Sequence, residues 1–248
     1  MFSLQAQRMS KPSLMFRVRD VTRDGFKIHG IRFPFVLLHR TWVYFFRRWL
    51  VPFRQFIFAG KNHAYVVHPF ILDNERTVEV AIAREFLCGK TGEILEVGNV
   101  LTNFSRFPHD VVDKYEKAPG VINEDIVTYA PRKKYDCIVT ISTLEHIGWD
   151  EQPREPEKIL QAIHHLKELL AADGQLLATM PLGYNCFVDR IVRENKTGFS
   201  EIRYLLRISA DNQWREARLE EVIDAKFGSP FSCANAIVVG YFHKNGSS

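Results

Sequence analysis

The chain has 248 residues, of which 46% are hydrophobic and 25% charged, a composition that excludes a disordered chain and a multi-span membrane protein. Its length is enough for a full hydrophobic core without disulfide or metal staples, and one α/β domain with an N-terminal extension accounts for it. The formal net charge of +4 is small but uneven: Arg17, Arg19, Arg23, Lys27, Arg32, Arg40, Arg47, Arg48 and Arg54 crowd the first quarter and suggest an anionic neighbour. Cys88, Cys137, Cys186 and Cys233 are far apart, with no C-x-x-C pair and no nearby histidine spacing, so no metal site is expected. A reducing, cytoplasmic setting fits those thiols, and Met1 to Lys11 lacks the apolar core and cleavage site of a secretory signal.

In chain order, the first expected element is a β-hairpin. Asp24-Gly25 separates the alternating runs Phe16 to Arg19 and Phe26 to His29. From Phe33 to Phe58, arginines alternate with Trp42, Tyr44, Phe45, Phe46, Trp49 and Phe53. Three readings stand for this segment: a helix on a membrane surface, a nucleic-acid patch, or a cap packed on the main domain. The aromatic density favours the packed cap. Arg40, Arg47 and Arg48 interrupt the longest apolar stretch, so a spanning helix is not expected and membrane contact would be peripheral. Residues 1–70 are accordingly read as an extension or cap, and residues 71–248 as the α/β domain.

Asn74 is placed to cap a helix from Glu75 to Leu87 with Val78, Ile82 and Phe86 on one face and Gly89 beyond its end. Glu93 to Val97, closed by Gly98, has the apolar run of a buried parallel strand. Asp110 to Lys114 is a short strand ending in an acid, and Asp136 to Ile141 is another buried strand. A helix is expected from Pro156 to Leu170, ended by Gly174, with a strand from Gln175 to Met180. Strand, helix, strand with short joints is a βαβ unit. Beyond Pro181 the pattern gives a helix over Phe187 to Arg193, a strand over Arg203 to Ile208, a helix over Trp214 to Ala225 and a terminal strand over Ala236 to Phe242.

From Glu75 to Lys244 this order of elements, with several short blocks, resembles the class I S-adenosylmethionine-dependent methyltransferases. Glu96-Val97-Gly98 is similar to the acidic-x-Gly start of the family's first motif. There glycine lets backbone approach the methionine part of the cofactor. The family continues with further glycines, whereas this chain has Asn99-Val100-Leu101-Thr102-Asn103, which raises the question whether Asn99 and Asn103 amides replace backbone contacts. Asp113 matches the carboxylate that grips the ribose hydroxyls, as a two-oxygen acceptor of a diol. Asn123 to Ile126 resembles the adenine block, which implies that Asp125 accepts from the adenine amino group and Ile126 packs on the ring. Only Tyr115 to Gly120 separates these two blocks, so a truncated connection is expected in place of the usual crossover helix. Tyr135 to His146 is similar to the fourth strand and its exit loop, where Ser142 and Leu144 would contact the cofactor. Leu144-Glu145-His146 matches a triplet frequent among small-molecule members.

The resemblance implies a Rossmann-like, mostly parallel sheet flanked by helices. It also implies S-adenosyl-L-methionine as cofactor and transfer of a methyl group to a small-molecule or glycan-like acceptor. His146 is the candidate base, because imidazole titrates near neutrality and follows the strand-end loop; the other reading is a histidine that caps a helix or bonds a neighbouring carboxylate. Glu145 is open between orienting that imidazole, facing the cofactor and acidifying a helix start. Trp149, Asp150, Tyr184, Asn185 and Arg190 are placed to line the acceptor side. Two other functions are weighed. One is a non-catalytic relative that has lost the cofactor and binds a membrane or partner through its basic aromatic region. The other, nucleotide-type oxidoreduction, lacks the Gly-x-Gly-x-x-Gly fingerprint. No nucleic acid is expected as partner.

Overall fold

The computed structural model describes residues 54–68, 73–104 and 108–245, together with Leu38 and Ile71. The chain divides into two compact units, Met1–Phe46 and Arg47–Ser248, and the fold described is that of the second. The expected hairpin around Asp24-Gly25 and most of the basic aromatic segment lie outside the described residues. Strands β1 (Gln55–Phe58) and β2 (Lys61–Ala64) form an antiparallel pair, followed by helix α1 (Arg76–Leu87), β3 (Ile94–Val97), β4 (Asp110–Val112), β5 (Val121–Ile122) and β6 (Tyr135–Ile141). Helix α2 (Lys158–Leu169) leads into β7 (Leu170–Pro181), and α3 (Cys186–Arg193), β8 (Glu201–Arg207), β9 (Trp214–Ala217), α4 (Leu219–Val222) and β10 (Ala236–His243) complete the order.

Eight strands form one sheet in the order β5-β4-β3-β6-β7-β10-β8-β9. The run from β5 to β7 is parallel, and β10, β8 and β9 join antiparallel. From β3 the chain winds to one side through β4 and β5, then returns to start β6 on the other side. The strand order therefore reverses between β3 and β6, which is the topological switch point of an open, doubly wound Rossmann-like sheet.

Alternate residues of the central strands enter two cores because helices cover both faces. Ile138, Leu176 and Val238 pack with Ile159, Ile163 and Leu166 of α2, while Val139, Leu177 and Val239 pack with Val78 and Ile82 of α1. Phe56 and Phe58 of β1 join the second core. Ile138, Leu166 and Leu176 are fully buried, so truncating any of them to Ala costs about 2–5 kcal/mol.

Two expectations are corrected. The α2 helix ends at Leu169, beside the expected Leu170, but Gly174 does not separate it from the next strand: β7 starts at Leu170 and not at Gln175, and Gly174 lies within it. The pairing with β6 shifts register between Tyr135 and Cys137, and the residues from Ala171 to Gly174 form an irregular stretch that no hydrophobic pattern marks. Trp214 to Ala225 is mainly not helical: Trp214–Ala217 pairs with Tyr204–Arg207, and only Leu219–Val222 is helix. The Trp214 side chain is buried, with its indole N–H donating to Asn212 Oδ1 at 2.8 Å, so burial against a distant strand overrode local periodicity. The link from β4 to β5 carries no helix.

Candidate functional site

A cleft of about 650 Å³ opens at the carboxyl ends of β3, β4 and β6. Open α/β sheets bind ligands there because strand-end loops diverge and leave backbone polar groups unpaired. Gly98, Asn99, Asp113, Asp125, Ile126, Ser142 and His146 all line it, so strands far apart in sequence bring seven of the nine expected site residues together.

Gly98 makes the turn out of β3 at φ +84°, and its N–H donates to the Val112 carbonyl at 2.9 Å. A Cβ at this position would overlap Thr143 Oγ1 and lie 2.9 Å from Thr143 Cγ2. Both the left-handed backbone and the close loop therefore demand glycine. The next residues form a 3-10 turn, Leu101–Asn103, in place of a glycine-rich loop. Its amides are held by Glu96, whose Oε1 accepts from Val100 N at 2.6 Å and Leu101 N at 2.5 Å. Glu96 Oε2 lies 2.7 Å from His109 Nε2.

Glu96 is thus fully buried behind the loop and does not line the cleft. Leu144 is also fully buried, within the core beside α2, and does not line it either. Glu96 holds the loop amides and Leu144 packs in the core, so neither of these two expected cofactor contacts faces the cleft. Asn103 likewise turns away, donating through Nδ2 to the Asn99 carbonyl.

Asp113 ties two loops together. Its Oδ1 accepts from Tyr115 N at 2.8 Å and Glu116 N at 2.7 Å, and Oδ2 faces Asn99 N at 3.4 Å. Asn99 Nδ2 donates to Glu116 Oε1 at 2.7 Å. Asp125 differs from its expected part, for its carboxylate is already claimed: Oδ2 accepts from Lys114 Nζ at 2.9 Å and Lys158 Nζ at 2.6 Å, and Oδ1 from Val127 N. Partial burial pushes the Asp125 carboxyl up, but those hydrogen bonds outweigh it and hold it at about 2.

Beneath the cleft, Ser142 Oγ donates to Glu79 Oε1 at 2.7 Å. Burial, reinforced by the Glu75 carboxylate, pushes the Glu79 carboxyl up to about 7. Burial likewise raises the Glu145 carboxyl well above the usual range. Among the described residues Glu79 Oε2 and Glu145 Oε2 have no hydrogen-bond partner, which favours the neutral form of both acids.

The Leu144–His146 turn is anchored by Asn185, the N-cap of α3. Asn185 Oδ1 accepts from Phe187 N and Val188 N, and Nδ2 donates to the Glu145 carbonyl at 2.7 Å. Asn185 is therefore fully buried scaffold and not an acceptor contact. His146 Nδ1 lies 2.5 Å from Asp150 Oδ2, and both residues line the cleft. Arg76, Val97, Val112, Lys114 and Thr143 line it too, unnoticed in the sequence. Arg76 starts α1, and its guanidinium has no ion-pair or hydrogen-bond partner among the described residues. A lone basic residue at a helix start carries no sequence signal of its own.

No family model matches the chain, and no curated protein matches it. Solved structures do. The N-methyltransferase NodS from Bradyrhizobium japonicum WM9, solved with S-adenosyl-L-homocysteine, is 16% identical over 68% of this chain and 87% of its own, with a TM-score of 0.46. A SAM-dependent methyltransferase from Thermotoga maritima, described as a possible histamine N-methyltransferase, is 11% identical over 68% and 88%, with a TM-score of 0.41. A SAM-dependent methyltransferase from Archaeoglobus fulgidus is 13% identical over 68% and 95%, also with a TM-score of 0.41.

The fold of this chain is similar to theirs. At such identities and scores, function has to be argued from the cleft itself. Among the described residues no helix is long and apolar enough to cross a membrane.

Proposed function

We propose that this protein is an S-adenosyl-L-methionine-dependent methyltransferase acting on a small-molecule or glycan-like acceptor. The observation that carries the reading is the Gly98 turn at the switch point, pressed so close to Thr143 that only backbone fits, with Asp113 at the end of the neighbouring strand. The cleft volume falls in the range of small-molecule sites, about 300–1,000 Å³.

The residues present fit the cofactor. Gly98 offers a cradle that a Cβ would fill, Asp113 and Asn99 line the cleft beside it and would hold a ribose diol, and the apolar Val97, Val112 and Ile126 would pack on a planar base. Arg76, whose guanidinium has no partner among the described residues, would take the carboxylate of the methionine part. Asp125 would reach an adenine amino group only by sharing lone pairs now held by the two lysines.

When bound, the cofactor supplies a methyl group on a sulfonium, the electrophile of an in-line displacement. The protein aligns the acceptor beyond it and excludes water. His146, on the cleft wall, takes the proton that the acceptor hydroxyl or amine gives up. Asp150 and Glu151 line the cleft beside it.

Calorimetric titration with S-adenosylmethionine, S-adenosylhomocysteine and NAD tests the reading. Micromolar binding of the first two and none of NAD is expected, and Asp113→Ala should weaken S-adenosylhomocysteine at least tenfold while circular dichroism stays native. No binding of either sulfur ligand would leave a non-catalytic relative as the better description.

A further inference from the structure

Three side chains from two separate loops meet at the edge of the cleft, which His146 and Asp150 line. His146 closes the turn after β6, Asp150 lies four residues on, and Tyr184 comes from the loop after β7. Both His146 Nδ1 and the Tyr184 hydroxyl point at one atom, Asp150 Oδ2, at 2.5 and 2.6 Å. The two rings also meet edge to face, 5.1 Å between centroids. The backbone sets up this convergence: Trp149 N and Asp150 N both donate to the His146 carbonyl, which folds the chain so that side chains 146 and 150 share a face.

We propose that Asp150, braced by Tyr184, is a positioning residue that fixes His146 as its Nδ1–H tautomer and so leaves Nε2 as the proton acceptor for the acceptor group. The inference rests on the methyltransferase reading only for where the proton comes from. A carboxylate can only accept, so the nitrogen facing it must carry hydrogen. Partial burial raises the Asp150 carboxyl, but the hydrogen bonds from Tyr184 and His146 outweigh it and hold it below its ordinary value. Burial, then the neighbouring Asp150, pushes Tyr184 up to about 12, so its hydroxyl remains a donor.

The other charged groups around the imidazole do not compete for Nδ1. Glu145 Oε1 lies 3.6 Å from Nε2, beyond hydrogen-bond distance, and Arg154 is stacked over the Trp149 ring. When an acceptor hydroxyl or amine is alkylated, its proton passes to Nε2. The imidazolium so formed stays hydrogen-bonded to a carboxylate that does not itself take the proton.

The test is nitrogen-15 NMR of the full chain labelled at histidine, with the His146 signal assigned by its loss in His146→Gln. The wild type should show a single Nδ1-protonated neutral imidazole at alkaline pH. Asp150→Asn should lose that single form, Tyr184→Phe should retain it with faster exchange of the Nδ1 proton, and both variants should melt cooperatively like the wild type. An Nε2-protonated ring in the wild type, or an unchanged tautomer in Asp150→Asn, overturns the proposal. This readout needs neither acceptor nor turnover. Failure of S-adenosylhomocysteine to bind would overturn the functional reading while an Nδ1-protonated His146 still supports the proposal, and an Nε2-protonated ring sinks the proposal whatever the titration gives.

Discussion

Gly98 and Thr143 face each other across the floor of the cleft, the backbone of one against the side chain of the other, with no room for a single added carbon. They sit at the ends of β3 and β6, on either side of the strand-order reversal, so their contact defines how closely the two loops approach.

Gly98→Ala should therefore do more harm than its size suggests. An L-residue held near φ +84° costs about 1–2 kcal/mol, and the overlap with Thr143 adds to it by pushing the loops apart. Affinity for S-adenosylhomocysteine is expected to fall at least tenfold, about 1.4 kcal/mol. Adding Thr143→Gly should recover part of the loss, since it removes the overlap but not the backbone strain. Equal affinity in Gly98→Ala and wild type would place the binding site elsewhere.

Glu79 makes stability depend on pH. Its carboxyl is held at about 7 by burial and by Glu75, against an ordinary value of 4.5, so the folded state binds the proton more tightly than the unfolded state. That contribution is complete below about pH 4.5 and is lost as pH rises through about 7, on the order of 3 kcal/mol in all. Glu79→Gln keeps an oxygen for the Ser142 hydroxyl and cannot ionise. Urea unfolding at pH 5 and pH 8 should show the wild type losing stability between them and the variant losing much less.

Lys158 bridges Asp125 and Glu151, each at 2.6 Å, while Lys114 reaches the same pair at 2.9 and 3.2 Å. The Lys158 side chain is only 14% exposed, so solvent screens its pairs weakly. Removing it in Lys158→Met leaves two half-buried carboxylates on one lysine and is expected to cost about 2 kcal/mol at pH 7. Because Asp125 is held at about 2, below its ordinary 3.8, its share of stability is present above about pH 3.8 and disappears as pH falls through 2. Acid unfolding of the variant should accordingly begin at higher pH.

Much of the site could be read one residue at a time. Gly98 after an apolar run, Asp113 at a strand end and His146 after a buried strand are each local patterns, and all three line the cleft. The His146-x-x-x-Asp150 spacing is equally visible, but it becomes a pair only because the turn from His146 to Asp150, closed by Trp149 N and Asp150 N on the His146 carbonyl, folds it back. Asp125 shows the limit of local reading: nothing near it announces that Lys158, 33 residues away, claims its oxygen.

The sequence by itself determined which segments are buried strands and which are amphipathic helices, because a strand covered on both faces and a helix covered on one leave patterns set by their own periodicity. Tertiary structure alone decided that Trp214 to Ala217 is a strand, that Glu96 and Leu144 stand behind the cleft, that Arg76 lines it, and that Tyr184 meets Asp150. Those outcomes depend on which distant segment supplies the hydrogen bonds or the covering surface. That pairing is a property of the folded sheet and leaves no trace in neighbouring residues.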